Sequence, residues 1–142
     1  MNKEKVKTFE DIIKKNHPNI CGVVVLKDDK LVYENYENNC NKESKIHIYS
    51  VTKSIISLLI GIALDKGYIK ESTSPHINLG DLSYGYLWWI LDDHSFVAMG
   101  DGGNSIYVDT KDNIVIAISA LFVPNSSEKI ELIKHYIKPA FE

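Results

Sequence analysis

The run from Ser50 to Leu64, SVTKSIISLLIGIAL, leaves a helix almost no face that can stay wet. At about 100° per residue, Ser50, Ser54, Ser57, Gly61 and Asp65 share one narrow arc. Ile55, Ile56, Leu58, Leu59, Ile60, Ile62, Ala63 and Leu64 fill nearly all the rest. A helix that is apolar nearly all round must be covered on most sides. One sheet covers one side, so a second layer has to come from this chain or from another.

The chain has 142 residues, enough for one domain with one core over 1–142. A net charge of -3, with basic residues scattered along the sequence, gives no reason to expect a nucleic-acid partner. No run of uncharged apolar residues is long enough to span a membrane. At the start, Val6, Phe9, Ile12 and Ile13 recur at helical spacing, which reads as an amphipathic helix and not a signal peptide. A cytoplasmic protein is expected.

A helix is predicted over about 3–16, ended by NHPN. ICGVVVLK (20–27) is apolar on both alternations, as a strand covered on two faces would be. Asp28-Asp29 turns the chain into LVYENYE. In that register Cys21 faces about Tyr36, so Cys21 and Cys40 are expected as free thiols. No cofactor and no metal are expected, since Cys21, Cys40 and the five histidines form no ligand cluster. The histidines read as surface or loop residues. Gly67 suits a helix C-cap, and ESTSPHINLGD (71–81) a connection. Three strands follow, at YGYLWWIL, SFVAMG-to-NSIYVD around GDGGN, and IVIAISALF, and a serine-capped helix closes the chain.

The fold class expected is an α/β (α+β) sandwich. An antiparallel five-stranded sheet would carry the N- and C-terminal helices on one face and the Ser50 helix on the other.

Ser50 stands three residues before Lys53 at the mouth of the apolar helix. One reading is an N-cap, a place serine favours. The other is chemical. Lys53 can reach the Ser50 oxygen from an adjacent helix face, and the helix N-terminus offers N–H groups to a developing oxyanion. An apolar enclosure would favour the neutral amine that accepts the serine proton.

YSVTKS followed by LLIGIALDKGYIK resembles the serine motif of the serine β-lactamase and penicillin-binding protein superfamily. YGYLWWI, FVAMGDGGNSIYVD and IVIAISA, in that order, resemble the closing strands of its class C-like branch of β-lactamases, esterases and DD-peptidase-like proteins. The resemblance implies Ser50 as acylated nucleophile and Lys53 as its partner. It puts Asp101, Gly102 and Gly103 at the third motif, with the backbone N–H groups of Ser50 and Asn104 as oxyanion hole. An acid at 101 favours an ester or amide over a penicillin, because it would not help to hold a substrate carboxylate.

The family's large helical domain, with its Tyr-x-Asn motif, has no counterpart in the short link 70–81. Tyr33-Glu34-Asn35 and Tyr36-Glu37-Asn38 precede the serine and read as strand residues. Tyr84, Tyr86 and Tyr107 are candidates for a substitute hydroxyl. Trp88-Trp89 puts one indole on each sheet face, where core packing is the expected role. Two functions follow from the resemblance. One is a serine hydrolase domain acting on a small-molecule ester, amide or β-lactam, with slow or absent turnover. The other is a non-catalytic remnant or minimal scaffold that forms homo-oligomers, a dimer for instance, through the apolar helix.

Overall fold

The structure is a computed structural model and describes residues 1–56, 77–79, 82–85, 87–124, 126 and 129–142. Helix α1 spans Lys3–Asn16, with Asn2 Oδ1 accepting from the N–H groups of Glu4 and Lys5. Strands β1 (Ile20–Lys27) and β2 (Lys30–Tyr36) form the predicted hairpin. Asp28 and Asp29 at its tip have φ of 49° and 59°. A tight hairpin turn of this twist demands such left-handed residues, and aspartate tolerates them. A helix, α2, begins at residue 51 and is described as far as residue 56. The rest of the predicted Ser50 helix, with Ser57, Gly61, Asp65 and Gly67, lies outside the described residues.

The remaining strands are β3 (Ile77–Leu79), β4 (Leu82–Gly85), β5 (Trp88–Ile90), β6 (Ser95–Gly100), β7 (Asn104–Asp109) and β8 (Ile114–Ala120). Among the described residues the order β2-β1-β8-β7-β6-β5-β4-β3 makes one antiparallel sheet of eight strands, not five. The difference arises where the sequence is least punctuated. YGYLWWIL breaks at Leu87, which sits at φ 76° with Gly85 paired to Trp88 around it. Ser54 Oγ donates to the Leu87 carbonyl at 2.6 Å and holds that turn from α2. Ile77–Leu79, read as connection, pairs with β4 as an edge strand.

Register places one row across the sheet. It runs Tyr33, Val25, Ile116, Tyr107, Val97, Trp89, Tyr84. On this face Val25, Ile116, Tyr107 and Val97 pack with Phe9 and Ile13 of α1 and with Ile133 and Ile137 near the C-terminus. On the opposite face Trp88, Ile90 and Ala98 pack with Val51, and Ile48 and Ile55 join them. Two-faced strands are thus covered by helical residues on both sides.

The C-terminal segment is helical over Ile130–Ala140, passing from α (Ile130–Leu132) through a π turn (Ile133–Ile137) to 3-10 (Lys138–Ala140). Lys129 holds its N-cap position without a side-chain cap bond, where a serine was expected. At its far end Lys138 Nζ lies 2.7 Å from Asp109 Oδ2 and 2.7 Å from Asp112 Oδ2. Burial alone would raise the Asp109 carboxyl, but the Lys138 ammonium and the Asp112 N–H bring it below the ordinary carboxylate range. Lys138→Met should therefore cost about 3 kcal/mol in urea unfolding at neutral pH, the low end for stranding one partner of a buried pair. Asp109 stabilises the fold fully above its unfolded pKa of about 4, and this contribution is lost as pH falls through the lowered folded value. Variant and native stabilities should converge there.

Candidate active site

Ser50 is placed by a strained approach. Tyr49 sits at φ 49°, a left-handed value that a non-glycine residue adopts at some energetic cost. The Tyr49 ring rests 4.4 Å from His47 and 5.8 Å from Phe122, and its N–H donates to His47 Nδ1 at 3.1 Å. The loop then presses on β6. A Cβ at Gly100 would stand 2.4 Å from the Ile48 carbonyl oxygen and 3.2 Å from Ser50 N. Glycine at 100 is what lets the backbone before the serine touch the strand.

Ser50 itself is exposed, as is Lys53. The first turn of α2 closes through backbone bonds, Thr52 N to Tyr49 O at 3.1 Å and Lys53 N to Ser50 O at 3.1 Å. Among the described residues Ser50 Oγ neither caps this helix nor bonds Lys53 Nζ. The apolar enclosure expected around Lys53 is not formed by the described residues either. Its side chain leaves the helix toward solvent, on the polar arc's flank, while Val51 and Ile55 take the sheet side.

Opposite lies the turn Asp101–Gly103, which joins β6 to β7. Gly102 and Gly103 have φ of 83° and 88°. A side chain at 102 would also meet the Leu121 carbonyl at 3.0 Å. Two buried asparagines lock this turn. Asn104 Nδ2 donates to Asp101 O at 2.7 Å and to Ala120 O at 3.1 Å, while its Oδ1 accepts from Ala120 N at 3.0 Å. Asn19 Nδ2 donates to Gly102 O at 2.7 Å and to Leu121 O at 2.9 Å. Since Gly100 pairs with Asn104, the Ser50 amide sits beside the very rung from which the turn springs.

Ser50, Lys53, Asp101, Gly102, Gly103 and Asn104 all line one open cavity of about 470 Å³. Tyr84, Trp89 and Lys129 line it too. Trp89 is half-buried and packs against Tyr84 with ring centroids 4.8 Å apart and the planes tilted by 59°, whereas Trp88 is enclosed against Phe96. Of the three tyrosine candidates, Tyr84 alone is seen at the cavity. Tyr107 is buried on the core face, bonded to Asp109, and Tyr86 lies outside the described residues. Tyr33 and Tyr36 are on the far edge strand β2, bonded to Glu10 and Glu34.

Asn19 and Lys129 were not singled out by sequence. Lys129 is 3% exposed, with Nζ 3.1 Å from His17 Nδ1 and 3.5 Å from Asn19 Oδ1. Burial pulls the Lys129 amine below its ordinary range. His17, in the loop after α1 and half-buried, is lowered as well, first by burial and then by Lys129. Only Asn19 carried a signal, as a polar residue at the entrance of a two-faced apolar strand.

No described helix is long and apolar enough to cross a membrane. The chain matches no protein-family description and no curated protein sequence.

Proposed function

We propose that this chain is a serine acyl-transfer domain related to the class C-like branch of the serine β-lactamase and penicillin-binding protein superfamily. The observation that carries the reading is the convergence of Ser50, Lys53 and the Asp101–Asn104 turn on one cavity. Ser50 Oγ attacks the carbonyl carbon of a small ester, amide or β-lactam, and Lys53 in its amine form takes the proton. The N–H groups of Ser50 and Asn104 face the developing oxyanion. The leaving group departs with a proton, and water then releases the acyl group from Ser50. Slow acylation and slow turnover both fit a lysine that is exposed and not bonded to the serine.

Incubation with a fluorescent penicillin and an activated ester, followed by intact mass, tests this. One acyl group should add to the native chain and none to Ser50→Ala. Lys53→Ala should acylate roughly 10²-fold more slowly, the low end of a general base's contribution. No adduct anywhere from neutral to alkaline pH would sink the proposal.

A second reading has its own observation. Leu87, Phe122 and Val123 at the cavity wall, and Ile56 on α2, are 37%, 55%, 45% and 50% exposed. Apolar surface of this kind suits a self-associating scaffold, and a monomer by light scattering at micromolar concentration would exclude it.

A further inference from the structure

Lys129 is a buried amine that the acyl-transfer reaction leaves unused. It is 3% exposed, and it lines both the cavity of about 470 Å³ and a second one of about 410 Å³, which Leu121, Val123 and Pro124 share. Among the described residues the partners of its Nζ are an imidazole, His17 Nδ1 at 3.1 Å, and an amide oxygen, Asn19 Oδ1 at 3.5 Å, not a carboxylate. Burying an ammonium without a counter-charge is costly. The free amine avoids that cost, and burial accordingly pulls the group below the ordinary range of a lysine. Burial also lowers His17, so its imidazole is neutral at neutral pH and can take up a proton.

The cavity beside Lys129 has a second unspent group. Val97 pairs with Tyr107 and Met99 with Ser105, so these four side chains share one face of the sheet. Trp89, opposite Val97, and Tyr84, opposite Trp89, are on that face too. Tyr84, Trp89, Met99 and Ser105 thus line the cavity from the face that carries the C-terminal helical segment, which Lys129 opens. Ser50 and Lys53 line it from α2, which packs on the other face. Ser105 is 5% exposed, and its Oγ is buried with no hydrogen-bond partner among the described residues. A buried hydroxyl left unbonded is rare, and an oxygen of a bound molecule would satisfy it.

We propose that Lys129 captures a small aromatic aldehyde as an imine, with the ring against Tyr84 and Trp89 and a further oxygen of the ligand accepting from Ser105. The Nζ lone pair attacks the carbonyl carbon, a C–N bond forms, and the C=O π pair moves to oxygen. One Nζ proton passes to that oxygen, with His17 Nδ1 as the carrier within reach, and gives a carbinolamine. The carbinolamine hydroxyl then leaves with the second Nζ proton as water, and a C=N bond remains. Nothing is oxidised or reduced. Ser50 takes no part, since with an aldehyde it would give a hemiacetal and not an imine.

The test incubates the full chain at neutral pH with a limiting amount of 3-hydroxybenzaldehyde and sodium cyanoborohydride. Reduction fixes an imine as a secondary amine and leaves a hemiacetal unfixed. Intact mass counts the adducts, and peptide mapping places them. A lysine that only packs in the core would be the last in the chain to react. Lys129 should instead be the first, ahead of Lys53 in the same cavity and of the exposed lysines. The Met1 α-amine, exposed and low in its ordinary value, is mapped separately. Lys129→Met should lose this first adduct. Propanal, with neither ring nor second oxygen, should show less preference for Lys129 over the exposed lysines. First labelling at Lys53 or at an exposed lysine, no label at Lys129, or an equal preference with propanal would overturn the proposal. The native map decides the matter by itself if Lys129→Met fails to fold.

Discussion

Gly100→Ala should destabilise the protein by about 3 kcal/mol, the upper part of what forcing one extra group into a packed site costs. The reason is that the added Cβ would stand 2.4 Å from a backbone oxygen, Ile48 O, and 3.2 Å from Ser50 N and from Val51 Cγ2. Backbone cannot swing aside as the end of a long side chain can. The 48–50 loop must lift from β6, which uncovers Val51 and the cluster of Trp88, Ile90 and Ala98 beneath it. The same movement takes Ser50 away from the Asp101–Asn104 turn, so acylation should fall at least as far as in Lys53→Ala. Gly22→Ala is the matched control. There the nearest atom, at 3.0 Å, belongs to the Tyr36 side chain on an edge strand, which can give way. Its cost should stay below about 1 kcal/mol, within the range of tolerated changes. Urea unfolding of the two variants measures the contrast. Equal midpoints would mean that the loop does not rest on β6.

Much of the fold was legible where local and tertiary demands agree. Helix α1 shows its period in Val6, Phe9 and Ile13, and the two buried ones of these, Phe9 and Ile13, are its core contacts. ICGVVVLK and IVIAISA are apolar on both alternations, which predicts burial on two faces, and both strands lie inside the sheet. The aspartates at 28 and 29 announce their turn because their side chains tolerate left-handed φ. Leu87 announces nothing. Gly85 stands beside the break, but the left-handed residue is a leucine, and its carbonyl is held by a hydrogen bond from Ser54, thirty-three residues away. The sheet was undercounted there, at Ile77–Leu79, which reads as connection, and at the two arms around GDGGN.

The site divides in the same way. Ser50 and Lys53 were singled out by their spacing and Asp101–Asn104 by the family resemblance, and all of them line one cavity. The described residues leave Lys53 exposed, and most of the apolar helix expected to enclose it lies outside them. Asn19 and Lys129 escaped notice because their roles are tertiary. Asn19 reaches Gly102 across eighty-three positions, and Lys129 meets His17 across one hundred and twelve. A lysine early in an amphipathic helix reads as solvated until a fold encloses it.

Asn104 separates architecture from chemistry most sharply. Only its backbone N–H is assigned to the oxyanion hole, and every substitution except proline keeps that group. Its side chain is 1% exposed and is fully spent on Asp101 and Ala120. Asn104→Leu has nearly the same size but strands the Ala120 N–H, the Ala120 carbonyl and the Asp101 carbonyl. Each buried polar group left unmade costs about 1–3 kcal/mol. The two Ala120 groups are buried and should bear the full penalty, while the Asp101 carbonyl is partly open to water and should bear less. A loss of about 4 kcal/mol is expected in urea unfolding. Hydrogen exchange locates it. Protection should fall first at the 101–104 turn and at the end of β8, where Ala120 sits, before α1 is affected. If α1 and the turn lose protection together and in equal measure, Asn104 is a general core residue and not the clamp of this turn.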